Sequence, residues 1–280
     1  MRLDSHQHFW QYNADRHSWM DDKMLPLRQD FMPENLHPLL LDHKIDGCVV
    51  VQVDQTEAET SFILDLAAKH AFIKGVVGWL DLRSDTIEER LAHFAKNPNF
   101  RGIRHILQSE PDDFMLGDAF CNGISKLDQF GLTYDILIFP KQLKNTLTFV
   151  EKFPNQKFVL NHLAKPEIKS GKITEWQTDL TILAKHPNVY CKVSGMVTEA
   201  DWKYWEEKDL TPYLDVVFEA FGTNRTMYGS DWPVCLLASK YERVFNSIEN
   251  YIKQFTPREQ LNIMGNNTID FYGLNGKNLK

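Results

Sequence analysis

The chain has 280 residues, of which 43% are hydrophobic and 25% charged, and its formal net charge is −7 at pH 7. These fractions are ordinary for a soluble globular protein and exclude a wholly disordered chain. The acidic balance disfavours nucleic acid as a partner, because nucleic acid attracts basic surfaces. The sequence shows neither an apolar run near the roughly 20 residues that span a bilayer nor a signal-peptide pattern at its start. We therefore expect a cytoplasmic protein without a membrane partner.

Eight short runs rich in β-branched and apolar residues recur along the chain. Such runs are typical of parallel strands that are covered on both faces. The predicted strands are residues 2–8, 47–53, 74–80, 102–107, 133–139, 157–162, 189–194 and 226–230.

Stretches with apolar residues at helical spacing separate these runs. The predicted helices are residues 57–70, 86–96, 141–153, 174–186, 212–221 and 241–254. Alternating strands and helices predict βαβ units and a parallel sheet. Eight units in 280 residues leave about 35 residues each, which favours an α/β fold with a single TIM (β/α)₈ barrel as one domain over 1–280. An open doubly wound sheet is the poorer alternative, because no G-x-G-x-x-G follows the first strand.

Two longer stretches interrupt this spacing, residues 9–33 and 196–211, and both are rich in aromatic side chains. In a barrel they follow the first and seventh strands, so they emerge at the carboxyl end, where the site of such a barrel lies. Their aromatic residues are predicted either to form a lid or substrate wall or to pack between the loops.

The strongest local signal is the motif D-S-H-Q-H at residues 4–8. Side chains alternate along a strand, so His6 and His8 are predicted to share one face. Inside a barrel that face is the interior, where two imidazoles with nothing to bind are costly to bury.

A second signal is Asp231 in the run Y-G-S-D-W-P, at the end of the eighth predicted strand. A buried carboxylate needs a hydrogen bond, a charge partner or a function. The first and eighth strands of a closed barrel are neighbours, so Asp231 is predicted to lie beside His6 and His8 as a candidate general base. His162, in N-H-L-A-K-P, ends the sixth strand.

Further candidates lie near other predicted strand ends. Arg104 and His105 are adjacent on the fourth strand, so only one of them can easily face the interior, and the sequence does not say which. Both remain candidates for substrate binding. Gln52, Trp79, Lys192 and Trp232 are predicted to bind substrate as well, each on a weaker signal.

Together, D-S-H-x-H-F-W, N-H-L-A-K-P and Y-G-S-D-W-P resemble the amidohydrolase superfamily. More narrowly, the chain is similar to the amidohydrolase-2 branch, which includes L-fuconolactonases, L-rhamnonolactonases and pyrone-dicarboxylate lactonases. The resemblance spans nearly the whole chain. It implies a distorted TIM barrel with its site at the carboxyl face.

The resemblance leaves the metal question open. Metal-dependent members take ligands from the first-strand H-x-H, a carboxylated Lys or a Glu on strand four, histidines on strands five and six, and the strand-eight Asp. Here His6, His8, His162 and Asp231 match, but the fifth-strand run T-Y-D-I-L-I has no histidine. Strand four offers a cation, which would repel a divalent ion. We therefore expect no metal cofactor, with one zinc ion on those four residues as the alternative.

The predicted function is hydrolysis of a sugar lactone to its aldonic acid. Asp231 would activate water, and His6, His8, His162 and a strand-four cation would polarise the carbonyl. A neutral aldonolactone such as L-fuconolactone or L-rhamnonolactone is the favoured substrate, because two carboxylates would need more cations. The alternatives are a zinc-dependent hydrolase or decarboxylase of the same branch and a non-catalytic barrel that binds sugar acids. The sequence does not indicate the oligomeric state.

Overall fold

The computed structural model describes residues 1–274, so the last six residues of the predicted domain lie outside the described part. Eight parallel strands follow one another around a single sheet, each pairing with the next in chain order. They are β1 (Leu3–Gln7), β2 (Gly47–Val51), β3 (Ile73–Gly78), β4 (Phe100–His105), β5 (Thr133–Ile136), β6 (Phe158–Leu160), β7 (Val189–Val193) and β8 (Thr226–Tyr228). The predicted TIM barrel is confirmed.

The first and last strands meet, and this contact closes the barrel. Gln7 forms a parallel bridge with Trp232 just beyond β8. The backbone N–H of His8 donates to the Trp232 carbonyl at 2.7 Å, and that of Asp231 donates to the His6 carbonyl at 2.8 Å. The open doubly wound alternative is therefore wrong.

Helices surround the barrel and cover the outer faces of the strands. They are α1 (Pro33–Asp42), α2 (Glu57–Lys69), α3 (Ile87–Phe94), α4 (Asp118–Ile124), α5 (Leu143–Glu151), α6 (Thr174–Leu183), α7 (Met196–Glu199), α8 (Glu207–Phe221), α9 (Tyr241–Ile252), α10 (Pro257–Leu261) and α11 (Asn267–Tyr272). A short π-helical turn, Asn262–Asn266, joins α10 to α11.

Local signals explain most helix boundaries, and one boundary differs from the prediction. Helix α2 begins after Thr56, whose side chain accepts a hydrogen bond from the Glu59 N–H, as an N-cap residue does. Helix α8 begins at Glu207 rather than at Pro212, because Asp209 accepts a hydrogen bond from the Glu206 N–H at 2.8 Å and caps an earlier turn. Pro212 lies inside this helix.

The two aromatic stretches have different positions. Trp10 and Trp19, from residues 9–33, line the cavity at the carboxyl end of the barrel. In residues 196–211, Trp205 is buried under the Arg243 guanidinium, which lies 3.9 Å from the ring centroid, and Tyr204 is 80% exposed. The first stretch therefore forms part of the cavity wall, whereas Trp205 packs between secondary-structure elements.

Inside the barrel, the lower part of the lumen is filled with hydrocarbon. This lower layer consists of Val49, Val51, Val77, Val159 and Met227, which pack against Phe271 and Tyr272 of α11. Since α11 supplies two aromatic rings to this cluster, it covers the amino end of the barrel. Branched side chains filling the interior are typical of such barrels.

Two smaller findings complete the fold. Cys48 and Cys191 are buried in strands. Across residues 1–274, the helices lack the combination of length and hydrophobicity that a membrane crossing requires.

Candidate active site

A cavity of about 310 Å³ lies at the carboxyl end of the barrel. Its polar lining consists of His8, Arg104, Gln108, Ser109, His162, Lys165 and Asp231. The apolar lining consists of Trp10, Trp19, Val53, Ile106, Leu137 and Val234. The βα loops form this end of the barrel, which is where such barrels carry their active sites.

Three imidazoles converge on one carboxylate oxygen at the floor of this cavity. Oδ1 of Asp231 lies 3.3 Å from Nε2 of His8, 3.7 Å from Nε2 of His162 and 3.8 Å from Nε2 of His6. The His6 and His162 ring centroids are 4.3 Å apart. The structure therefore brings together the four residues that the sequence predicts as the catalytic group.

The first strand is irregular where it supplies the two histidines. Its register shifts between Asp4 and Gln7, and such irregularities re-aim side chains near active sites. Asp4 accepts hydrogen bonds from the Ser230 N–H at 2.9 Å and from Tyr241 Oη of α9 at 3.3 Å. Asp4 thus ties β1 to the end of β8, while His6 and His8 face the lumen.

The backbone at the other two site residues is left-handed. In the described part of the chain, six non-glycine residues have positive φ, and they include His162, at +53°, and Asp231, at +58°. Residues 163–165 continue the left-handed turn that begins at His162. Non-glycine residues seldom adopt this conformation, and such strain clusters at functional sites. The strained segments here carry the converging side chains.

Two glycines allow the close approach of neighbouring strands. A Cβ at Gly195 would collide with the His162 ring, and one at Gly229 would lie 2.7 Å from Cβ of His6. Gly195 also has a φ of +62°, which glycine adopts without steric cost. Larger side chains at these positions would displace His162 and His6.

Each imidazole has a defined partner at Nδ1. Nδ1 of His8 lies 2.7 Å from the Val51 carbonyl oxygen, and Nδ1 of His162 lies 2.9 Å from Oγ of Ser194. Because a carbonyl only accepts, His8 carries its proton on Nδ1 and presents the lone pair of Nε2 to the cavity.

Burial sets the charges of this group. It lowers the pKa of His8, lowers that of His162 to about 3, and holds that of His6 well below its usual value, so the three rings are neutral at pH 7. Burial alone would raise the pKa of Asp231, but the neighbouring His162 and His8 outweigh it and hold this pKa below its ordinary value. Asp231 is therefore ionised.

Of the two adjacent candidates on β4, Arg104 faces the cavity. Its Nη2 donates to Oε1 of Gln52 at 3.1 Å and also to the Gln52 carbonyl, and its Nη1 lies 3.4 Å from Nε2 of His6. Burial lowers the pKa of Arg104 to about 10, so the guanidinium stays charged at neutral pH.

His105 points to the opposite side of β4, where Trp79 is its partner. The indole Nε1 of Trp79 donates to Nδ1 of His105 at 3.2 Å, and Nε2 of His105 contacts Glu110 at 2.9 Å. The ring also stacks on Phe114, with centroids 5.0 Å apart. His105 and Trp79 therefore form a partly buried contact and do not line the cavity.

The remaining three candidates are buried around the cavity. Gln52 lies beneath the floor and holds Arg104. Lys192 is fully buried on β7 and contacts Asp135 at 2.6 Å. Trp232 is 2% exposed and packs edge-on against Phe31, with centroids 5.3 Å apart. They can influence substrate only through the residues that line the cavity.

Sequence reasoning missed several lining residues. One of them is Lys165, which belongs to the N-H-L-A-K-P motif and whose ammonium contacts Glu199 at 2.8 Å. Gln108 and Ser109 lie in a turn after β4 whose path no local pattern predicts. The N-H-L-A-K-P motif is the sequence signal that could have identified Lys165 as a lining residue.

The donors on the cavity floor fit one zinc ion. One ligand atom each from His6, His8 and Asp231 lies within 4.8 Å of the others, and Nε2 of His162 approaches the same carboxylate. Imidazole and carboxylate are both common zinc ligands. The nearby cations Arg104 and Lys192 would repel a second divalent ion.

Comparison with known proteins agrees with this geometry. The family model described as amidohydrolase matches residues 3–274. An L-fucono-1,5-lactonase of Burkholderia multivorans is 36% identical over 98% of this chain and 96% of its own, and one of Burkholderia ambifaria is 36% identical over 97% and 95%. A crystal structure of a Burkholderia multivorans amidohydrolase with bound zinc superposes with a TM-score of 0.95 at 36% identity, over 98% of this chain and 99% of that one.

The matched region covers every strand of the barrel and all four converging residues. The resemblance inferred from the three motifs is therefore confirmed, and the chain belongs to the amidohydrolase family.

Proposed function

We propose that the protein is a hydrolase that opens a sugar lactone to its aldonic acid. The observation that carries this proposal is the ionised Asp231 at the cavity floor, within 4 Å of three neutral imidazoles and close to the buried cation Arg104. The likeness to L-fucono-1,5-lactonases over nearly the whole chain supports the same reaction class.

Attack on the lactone requires a base for water. Asp231 is ionised and lines the cavity, so it can accept a proton from a water molecule lying between it and the carbonyl carbon. Burial lowers the pKa of both His8 and His162, so these neutral rings do not compete for that proton.

The developing negative charge on the carbonyl oxygen needs donors. Arg104 is a charged donor that lines the cavity. His162 is a second one when the Ser194 hydroxyl donates to its Nδ1, because the ring proton then lies on Nε2, toward the cavity. Loss of one such donor in other enzymes costs about 10²–10³ in rate.

Collapse of the tetrahedral intermediate breaks the ester bond and leaves an alkoxide. The proton that Asp231 took from water is then returned to this oxygen, so the carboxylate is regenerated. The products are the aldonic acid and its freed hydroxyl, and the reaction consumes one water molecule.

The cavity wall supports a lactone of a 6-deoxy sugar. Trp10, Trp19, Leu137 and Val234 form an apolar surface, which suits a methyl group better than a hydroxymethyl group. L-fucono-1,5-lactone, which names the relatives, carries such a methyl group. Gln108, Ser109 and Lys165 are placed to bind ring hydroxyls.

A zinc ion fits the same floor, with His6, His8 and Asp231 as ligands and His162 as a further candidate. When bound, it would polarise the lactone carbonyl. The zinc-containing relative supports this second possibility.

The test is hydrolysis of a panel of 1,4- and 1,5-aldonolactones, followed with a pH indicator. The protein is assayed after chelator treatment and again after zinc is restored. Turnover of 6-deoxy lactones by the chelated protein is the expected result. Activity that requires zinc would favour the metal-dependent alternative, and binding of sugar acids without any turnover would overturn the enzymatic proposal.

A further inference from the structure

The loop that supplies the aromatic wall of the cavity is closed on itself. Residues 9–33, called the aromatic loop below, have a backbone bridge at their base, where Trp10 and Phe31 exchange two N–H···O=C hydrogen bonds of 2.9 Å. The Trp10 indole also donates to the Gln29 carbonyl at 2.9 Å. In the described part of the chain, the hydrogen bonds of residues 11–30 all have partners inside this loop. The loop can therefore move as a unit about its base.

One polar contact of residues 11–30 leads to the barrel, at His17. Its Nε2 lies 3.8 Å from Oδ2 of Asp54, in the loop that joins β2 to α2. Both atoms are buried, and neither has a hydrogen-bond partner among the described residues. Buried polar atoms are seldom left unsatisfied. Closer approach of the two atoms, or one water molecule shared between them, would satisfy both and tie the aromatic loop to the barrel.

The ring of His17 is oriented to act as a donor in this contact. The backbone N–H of Asn13 donates to Nδ1 of His17 at 3.0 Å, so the proton of a neutral ring lies on Nε2. Burial lowers the pKa of His17, which favours the neutral ring at pH 7. His17 therefore directs an N–H at Asp54.

His17 also supports the aromatic wall from behind. Its ring stacks on Tyr12, with centroids 5.9 Å apart and 17° between the planes, and its centroid lies 6.1 Å from that of Trp10. Trp10 packs edge-on against Trp19, with centroids 6.4 Å apart. Trp10 lines the cavity at the carboxyl end of the barrel and also a smaller cavity of about 120 Å³, which His17 lines too. Trp10 thus lies between the active-site cavity and His17.

The partner of His17 is held firmly on the barrel side. Asp54 directly follows Val53, which lines the active-site cavity. The Val53 N–H donates to Oε1 of Glu59 at 2.6 Å, and the Glu59 N–H donates to Oγ1 of Thr56, the N-cap of α2, at 3.1 Å. The start of α2 therefore fixes the backbone beside Asp54, so a contact with Asp54 anchors the aromatic loop to the barrel framework.

We propose that His17 is a positioning residue that fixes the aromatic wall through Asp54 and so sets the selectivity of the cavity. With the contact in place, Trp10 and Trp19 hold their apolar surface against the substituent of the lactone ring. Without it the wall recedes and admits a bulkier hydroxymethyl group beside the methyl group. The selectivity rests on the proposed function, whereas the attachment of the loop does not.

Hydrogen exchange of the whole protein, read by mass spectrometry, tests the attachment. His17→Phe keeps a stacking ring but removes the N–H, so the amides of residues 11–30 should exchange about 3- to 10-fold faster, as the loss of one hydrogen bond implies. Exchange in the strands should stay native. His17→Gln offers an amide N–H in place of Nε2 and should stay closer to the native rate. Native exchange of residues 11–30 in His17→Phe would overturn the proposal, whether or not any lactone is hydrolysed.

The selectivity is the ratio of kcat/KM for a 6-deoxy lactone to that for its hydroxymethyl counterpart. An apolar pocket discriminates against an added hydroxyl by about 10², so we expect His17→Phe to lower this ratio about 10-fold. The change should lie in KM, with kcat for the 6-deoxy lactone close to native, because the groups on the cavity floor are untouched. An unchanged ratio despite faster loop exchange would exclude a role in selectivity. A native protein that hydrolyses no lactone would instead contradict the proposed function and leave the loop result standing.

A double-variant cycle shows whether His17 acts through Asp54. Asp54→Ala removes the acceptor, so it should raise the loop exchange and lower the selectivity as His17→Phe does. Residues that act as a pair have non-additive effects, so the double variant should add little to either single change. Fully additive effects would rule out Asp54 as the partner.

His70→Phe is the matched control. Nε2 of His70 also lies 3.8 Å from a carboxylate oxygen, Oε1 of Glu34, but this contact joins α1 to the end of α2, outside the aromatic loop. The variant should keep the native exchange of residues 11–30 and the native selectivity. Changes equal to those of His17→Phe would show that the effect is not specific to His17 and would contradict the proposal.

Discussion

The lumen of this barrel has two layers with opposite chemistry. The upper layer holds ionised and polar groups, among them Arg104, Asp231 and the three histidines. The lower layer holds valine, methionine and aromatic side chains. The same strands supply both layers, so facing inward does not make a residue functional. The position of a residue along its strand decides whether it can reach the cavity, because the loops and the cavity lie at the carboxyl end.

The two layers contribute differently to stability and function. Burying hydrocarbon is favourable at roughly 25 cal/mol per Å², so the lower layer stabilises the barrel. Buried charges carry a desolvation cost that even good pairing only partly offsets. The polar groups of the upper layer are therefore explained by function and not by stability. We therefore expect a substitution in the upper layer to lower mainly activity and a substitution in the lower layer to lower mainly stability.

The largest effect on activity is expected from Asp231→Asn. Loss of the base should lower kcat by about 10²–10⁴-fold, with little change in the free energy of unfolding, because a buried charge is removed and asparagine tolerates the left-handed backbone. Lactone hydrolysis and thermal unfolding measure the two effects. Full activity in this variant would exclude Asp231 as the base.

The opposite result is expected from Val77→Ala in the lower layer. Removing two buried carbons should lower the free energy of unfolding by about 1–3 kcal/mol, while kcat stays as in the native protein. Denaturant titration and steady-state kinetics give the two values. A large loss of kcat here would show that the layers are coupled mechanically and would break the comparison.

A smaller effect, on pH dependence, sharpens the comparison. The pKa of His162 is lowered by burial to about 3 in the folded state, so its contribution to stability is present above an unfolded pKa of about 6.5 and is lost as the pH falls. Linkage gives a loss of about 2 kcal/mol between pH 7 and pH 5. The His162→Asn variant should lack this part of the stability loss on acidification.

Unfolding measured at several pH values tests this expectation. Val77→Ala is the matched control, because it removes no titrating group and should keep the native pH dependence. If His162→Asn and the native protein lose stability equally on acidification, the ring does not hold its low pKa in the folded state.

Much of the fold could be predicted from the sequence, because buried parallel strands leave a clear pattern. All eight predicted strands exist, and β2 begins at the predicted residue, Gly47. The strands β6 and β8 end earlier than predicted, because the chain turns left-handed near His162 and Asp231. Helix α1 was missed, since Pro38 interrupts its sequence pattern.

The site was predictable where it depended on strand alternation and chain order. These two rules placed His6, His8, His162 and Asp231 together. They could not decide between Arg104 and His105, because that choice depends on the register of β4. The positions of Gln108 and Ser109 depend on the path of the turn after β4, and Tyr272 reaches Asp135 from a helix at the other end of the barrel. Such contacts arise from tertiary packing and leave no local trace.

The pairing of the chain's two ends also bears on how the protein is made. Asp4 and Ser230 are joined across 226 residues, and the Tyr272 phenol joins Asp135 later still. During synthesis on the ribosome, His6 and His8 must therefore wait until β8 has emerged before Asp231 can join them. Until then the nascent barrel is open between β1 and β8, so its cavity floor is incomplete.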